Sequence, residues 1–309
     1  MSRGRGNCAG VSDKNEQMEL KQFATRRRLA GLMFIGFGLC GSFGSGVAAP
    51  VGSAAGAAPN ALTVPLKSHR AVYKISLVRA EQQEGMRGAD GTFTYTLVDR
   101  CAGYTIETRM DADFGFSNGL NNAVRQVFAG WEARDGRTAS FRMQTFENDM
   151  LEDSYRGRAE LAADGSGTAA YEGAAPATFS LPVGTMLPIF QTGALLRAAA
   201  DGERCFSHVV MDGTATDGPY RVSGVIGSLR TGAPAAGDIA ATDTTSVPTG
   251  FWPVTMAYFQ LGAETDTPEY ELSIQLQADG IVGRMILDFG TYALSFEPES
   301  IGLIEGTGC

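Results

Sequence analysis

Histidine is scarce in this chain of 309 residues, with only His69 and His208, and tryptophan is as rare. Neither histidine stands in an HExxH or comparable ligand spacing, so no zinc-hydrolase signature is present. No GxxxxGK[ST] loop occurs, and no GxGxxG lies between a strand and a helix, which removes the usual phosphate-cradling devices. No GxSxG elbow is expected in the domain after the N-terminal region to support a Ser-His-Asp triad. The acidic groups Asp111-Ala112-Asp113 and Glu147-Asn148-Asp149 with Glu152-Asp153 do not fit the twelve-residue calcium loop, and they read as solvated turns or strand ends. Past the N-terminal region there is no long hydrophobic run. Phe251–Ala263 is the nearest, too short for the ~20 residues a spanning helix needs.

What is present begins with an export signal. Arg26, Arg27 and Arg28 precede the apolar run Leu29–Cys40, and a small-residue stretch ends at Ala49. That order of charged, apolar and small-residue regions predicts a cleavable secretory signal over residues 1–49. An Ala/Gly/Pro-rich leader follows over 50–61, and a single domain is expected over 62–309. Without residues 1–49 the chain keeps 18 basic and 31 acidic residues, a net charge near −13. Such a balance repels nucleic acid and anionic membrane surfaces.

Three cysteines lie beyond the signal: Cys101, Cys205 and Cys309. In an oxidising compartment they permit one bridge and leave one thiol. Spacing alone does not choose among the three pairings. Cys205 reads as a buried, packed cysteine. His208, at i+3 on the same strand, points to the opposite face and makes no catalytic pair with it.

From His69 onward the pattern alternates with period two, as in Ala71, Tyr73, Ile75 and Leu77 against Val72, Lys74, Ser76 and Val78. Further strands are expected across the chain, divided by turns at Ala89-Asp90-Gly91, Asp135-Gly136 and Asp164-Gly165. One helix interrupts them after Pro188, ending at Asp201-Gly202, with Ile189, Leu195, Leu196 and Ala199 on one face. Residues 231–247 read as a long exposed loop. The fold class is therefore all-β and mainly antiparallel: a large curled or barrel-like sheet with one α-helix.

Five segments carry a resemblance: His69-Arg70-Ala71-x-Tyr73, Asp99-x-Cys101-x-Gly103-Tyr104, Phe141-Arg142-Met143-Gln144-Thr145-Phe146-Glu147-Asn148, Leu181-Pro182-x-Gly184-Thr185-x-Leu187-Pro188, and the final Cys309. In order and spacing they resemble the EipB-type cell-envelope integrity family of alphaproteobacterial periplasmic proteins, over residues 62–309. The resemblance implies a spiral β-sheet, a Cys101–Cys309 disulfide, and a role in envelope homeostasis and stress resistance. It also implies a periplasmic tetratricopeptide-repeat partner and no catalytic residues or cofactor. The expectation is thus a periplasmic, monomeric, non-catalytic protein acting through protein contacts, with no stable membrane insertion. The alternative is a carrier of a hydrophobic or lipid-like ligand, with Tyr95, Phe141 and Phe146 as candidate lining residues.

Overall fold

Alternation drives the architecture. In β1 (His69–Ala80), His69, Ala71, Tyr73 and Ile75 are buried while Arg70 and Lys74 face solvent. A strand with one apolar face must lay it on a core, and the following strands do likewise. The computed structural model describes residues 66–214, 216, 218–231, 250–262 and 267–305. The expected signal, the leader and Cys309 lie outside these residues, as does most of the expected loop over 231–247.

The strands that follow are β2 (Met86–Asp99), β3 (Gly103–Phe116), β4 (Asn121–Ala133), β5 (Thr138–Glu147), β6 (Met150–Leu161), β7 (Gly167–Gly173), β8 (Ala177–Leu181) and β9 (Thr185–Met186). After helix α1 (Pro188–Asp201) come β10 (Cys205–Val210), β11 (Tyr220–Ile226), β12 (Arg230–Thr231), β13 (Gly250–Gln260), β14 (Tyr270–Gln277), β15 (Val282–Asp288) and β16 (Tyr292–Leu303). All belong to one sheet, ordered β8-β7-β6-β5-β4-β3-β2-β1-β16-β15-β14-β13-β11-β10-β9, with β12 beside β13. The first and last strands are neighbours, with Ile75 opposite Phe296. Pairing is antiparallel throughout except between β9 and β10.

The two ends of this order, β8 and β9, are joined by Pro182, Val183 and Gly184 alone. Laid flat, fifteen strands at ~4.8 Å spacing would separate those edges by roughly 65 Å. The connection from Leu181 to Thr185 spans at most about 14 Å. The sheet must therefore curl until its edges approach. Register shifts at Val72/Tyr73 and Leu77/Arg79 on β1 and at Thr145/Phe146 on β5 supply local bends.

The segment after β10 packs across the seam. Met211 N–H donates to Met186 O at 2.9 Å, the Tyr155 hydroxyl donates to Thr214 O, and Gly213 and Gly218 lie against the rings of Phe141 and Phe179. The all-β, curled expectation matches this architecture. Turn placement differs in one case. Ala89-Asp90-Gly91 lies within β2, and Gly91 is there because a Cβ would sit 2.3 Å from Asp111 O on the neighbouring strand. The real turn precedes it, at Gln82–Glu84 with Gly85 at φ 66°.

Candidate functional site

The curled sheet and α1 line a partly open cavity of about 230 Å³. Its wall is drawn from both halves of the sheet: Phe93 and Phe128 from one side, Met256, Ile274 and Leu287 from the other. Leu195 faces it from the helix. The burial of Leu195 and Leu196 follows from the apolar face of α1.

The helix is fixed by a tertiary cap. Leu187, at the N-cap position, offers no side-chain hydrogen bond. Glu132 at the end of β4 supplies it instead: Oε2 accepts Ile189 N–H at 2.9 Å and Oε1 accepts Phe190 N–H at 3.0 Å. Pro188 has no N–H, and Gln191 N–H already reaches Leu187 O. Every donor of the first turn is thus accounted for. Glu132 is 1% exposed and lines the cavity. Burial pushes its carboxyl up to about 8, against the opposing pull of the two backbone N–H groups.

Other polar side chains reach the same cavity. His69 is buried; its Nδ1 pairs with Lys67 O at 2.8 Å. Desolvation lowers its pKa, opposed by the Lys67 carbonyl and Asp279. Tyr258 and Tyr270 stack with centroids 4.4 Å apart. Burial raises both phenols; for Tyr258 the Asp212 carboxylate adds to the shift, and for Tyr270 Tyr258 and then Asp212 do so. Among the described residues, Gln191 Nε2, Thr214 Oγ1 and Tyr270 OH are buried without a hydrogen-bond partner, and all three residues line the cavity.

Of the three aromatic candidates, Tyr95 and Phe141 line the cavity and Phe146 does not; the Arg125 guanidinium lies 4.4 Å from the Phe146 ring centroid. His208 sits on β10 beside Phe206 rather than in the cavity. Cys205 is exposed, which corrects its expected burial: β10 lies near the outer edge of the sheet. It is also a free thiol, whereas Cys101 is disulfide-bonded. That removes the Cys101–Cys205 pairing, while Cys309 lies outside the described residues. Cys101 holds a left-handed backbone, φ 62°, in the β2–β3 turn. Its N–H is bound by Asp99 Oδ1 at 2.9 Å and its carbonyl by Arg134 Nε at 2.6 Å.

The letters GxSxG do occur, at Gly115-Phe116-Ser117-Asn118-Gly119, which corrects the expectation of none. The segment is the β3–β4 turn, with Gly119 at φ 81°, and it leads into a strand rather than a helix. Asp111 pairs with Arg109, Nε to Oδ2 at 2.6 Å. Among the described residues no three of His, Cys, Asp and Glu converge as metal ligands. No described helix is long and apolar enough to cross a membrane. The sequence singled out neither Glu132 nor the polar groups of the cavity. A carboxylate alternating inward on an apolar strand was the one available signal for Glu132.

The EipB-like family model matches residues 60–304. The chain is 27% identical over 248 residues to the cell envelope integrity protein EipB of Brucella abortus (strain 2308), covering 78% of this chain and 85% of that one. It also superposes on the crystal structure of a β-barrel-like protein of the domain of unknown function DUF1849 from Brucella abortus. That match has a TM-score of 0.71 at 24% identity and covers 79% of this chain and all of the other. The likeness to that structure is one of fold.

Proposed function

Because the chain belongs to the EipB-like family, we propose that it is an exported cell-envelope protein that supports envelope integrity without catalysis. We further propose that it does so by holding a hydrophobic ligand inside its curled sheet. The observation carrying this reading is the cavity of about 230 Å³. A well-packed core leaves few voids larger than a water molecule. Apolar cavities of about 150 Å³ already accept small aromatic molecules.

The curled sheet supports the same reading. Cavities lined by β-sheet hold apolar ligands by burying them in a preformed wall, so little ordering cost falls on binding. The test is extraction of protein purified from its native envelope, followed by mass spectrometry of the organic phase. A bound apolar species at near-equal molar amount is expected. Consistently ligand-free protein that also fails to take up an apolar probe would overturn the reading.

A second reading has one observation in its favour. Met150 and Leu151 are 64% and 54% exposed at the start of β6. Large exposed apolar side chains at a hairpin end suit a protein contact. The tetratricopeptide-repeat partner implied by the resemblance is a candidate. Crosslinked pull-down of wild type against Met150→Ser/Leu151→Ser tests it; capture lost in the variant supports the contact, and undiminished capture contradicts it.

A further inference from the structure

The polar groups of the cavity specify more than an apolar ligand. Gln191 Nε2, Thr214 Oγ1 and Tyr270 OH have no partner among the described residues. They belong to residues 6%, 6% and 2% exposed, and all line the cavity. A buried polar atom left unpaired destabilises the protein, and retained examples require an explanation. All three belong to residues that line one cavity, and a ligand bound there that reached them would complete their bonds together.

Their chemistry restricts that ligand. Gln191 Nε2 only donates, while the two hydroxyls donate or accept, so the ligand needs at least one acceptor oxygen. No Lys or Arg is among the described residues that line the cavity, and His69 is held toward its neutral form by burial. An anionic headgroup would therefore be desolvated without a compensating cation. The Asp212 carboxylate, also in the lining, adds repulsion. A cation gains little from Glu132, because both of its oxygens already accept backbone N–H groups.

We infer that the cavity selects an uncharged amphiphile, an apolar chain bearing hydroxyl or ester oxygens, and discriminates against anionic lipids. The inference rests on the reading of the cavity as a ligand site. Gln191, Thr214 and Tyr270 are its polar recognition groups.

The test uses the mature protein at pH 7.4 with N-phenyl-1-naphthylamine as a fluorescent apolar probe. The probe is displaced by monooleoylglycerol or by oleoyl lysophosphatidate, which share the acylglycerol and differ in the phosphate. Monooleoylglycerol should displace it at roughly tenfold lower concentration, since only the charged lipid buries an uncompensated anion. Gln191→Leu and Tyr270→Phe should each weaken monooleoylglycerol about five- to tenfold, the scale of one lost hydrogen bond. Probe binding should not change.

Melting of the ligand-free variants should stay level or rise, because an unpaired polar atom has been removed; a merely structural role predicts the reverse. Tighter or equal binding of lysophosphatidate, or unaltered monooleoylglycerol affinity in both variants, would overturn the inference while leaving the cavity reading intact. Failure of the probe itself to bind would remove the cavity reading and this inference with it.

Discussion

Glu132 caps a helix that begins more than fifty residues later: its Oε2 accepts the backbone N–H of Ile189 at 2.9 Å. Removing the carboxyl leaves two buried N–H groups unpaired, each a loss of about 1–3 kcal/mol. Glu132→Ala should therefore be among the most destabilising substitutions in the protein, read by chemical denaturation.

The same residue sets a pH dependence. Its folded-state pKa, raised by burial to about 8, lies above the ordinary value of 4.5. Between those values the folded state holds more protons than the unfolded one, so this group's contribution to stability falls as pH rises. Glu132→Gln, which cannot ionise, should flatten the decline of melting temperature between about pH 5 and 8. An identical slope in both proteins would show that other groups govern it.

Gly136 separates two causes of glycine preference. It lies in the β4–β5 turn at φ 67°, and a Cβ there would stand 2.4 Å from the Phe190 ring on α1. Gly119 has φ 81° with nothing within 4 Å. Gly119→Ala should cost about 1 kcal/mol, the conformational penalty alone. Gly136→Ala should cost clearly more, because the helix must shift as well. Thermal denaturation of the pair measures the difference.

Proposed pairing of Cys101 with Cys309 closes a loop of some 200 residues, worth roughly 5 kcal/mol in the chain-entropy model. Cys101→Ser and Cys309→Ser should each lower the melting temperature, and the double variant should add little, since both remove one bond. Cys205→Ser should have almost no effect, as its side chain is exposed and free. Peptide mapping of non-reduced protein identifies the bridge; a dominant Cys205–Cys309 crosslink would contradict it.

Strand alternation made much of the fold readable, because inward Tyr73 and Ile75 against outward Lys74 repeats in strand after strand. The helix was legible from Pro188 at its start and Gly202 at its end, the latter in the left-handed conformation at φ 80°. What local pattern could not give was closure. The pairing of β1 with β16 and the approach of β8 to β9 are long-range outcomes, invisible to a window of ten residues. β9 is only two residues long, too short for any periodicity. The polar groups of the cavity were missed for the same reason: Glu132, Gln191, Thr214 and Tyr270 are scattered over some 140 positions and meet only when the sheet curls. Even Cys205, on a strand with good alternation, was misplaced because burial near a sheet edge depends on what covers the edge.

The interior void is the central element of this account, and filling it tests the account most directly. Ala159 on β6 is fully buried and lines the cavity. Ala159→Leu adds three carbons facing that space. In a packed core such an insertion costs about 1–3 kcal/mol; into a true void it costs little. Fluorescence titration with N-phenyl-1-naphthylamine, alongside thermal denaturation, gives both readouts from one sample. The predicted result is saturable binding to wild type at about one probe per chain, and a binding loss of about tenfold or more in Ala159→Leu at undiminished melting temperature. Equal probe binding by both proteins would place the probe elsewhere on the molecule and contradict the account.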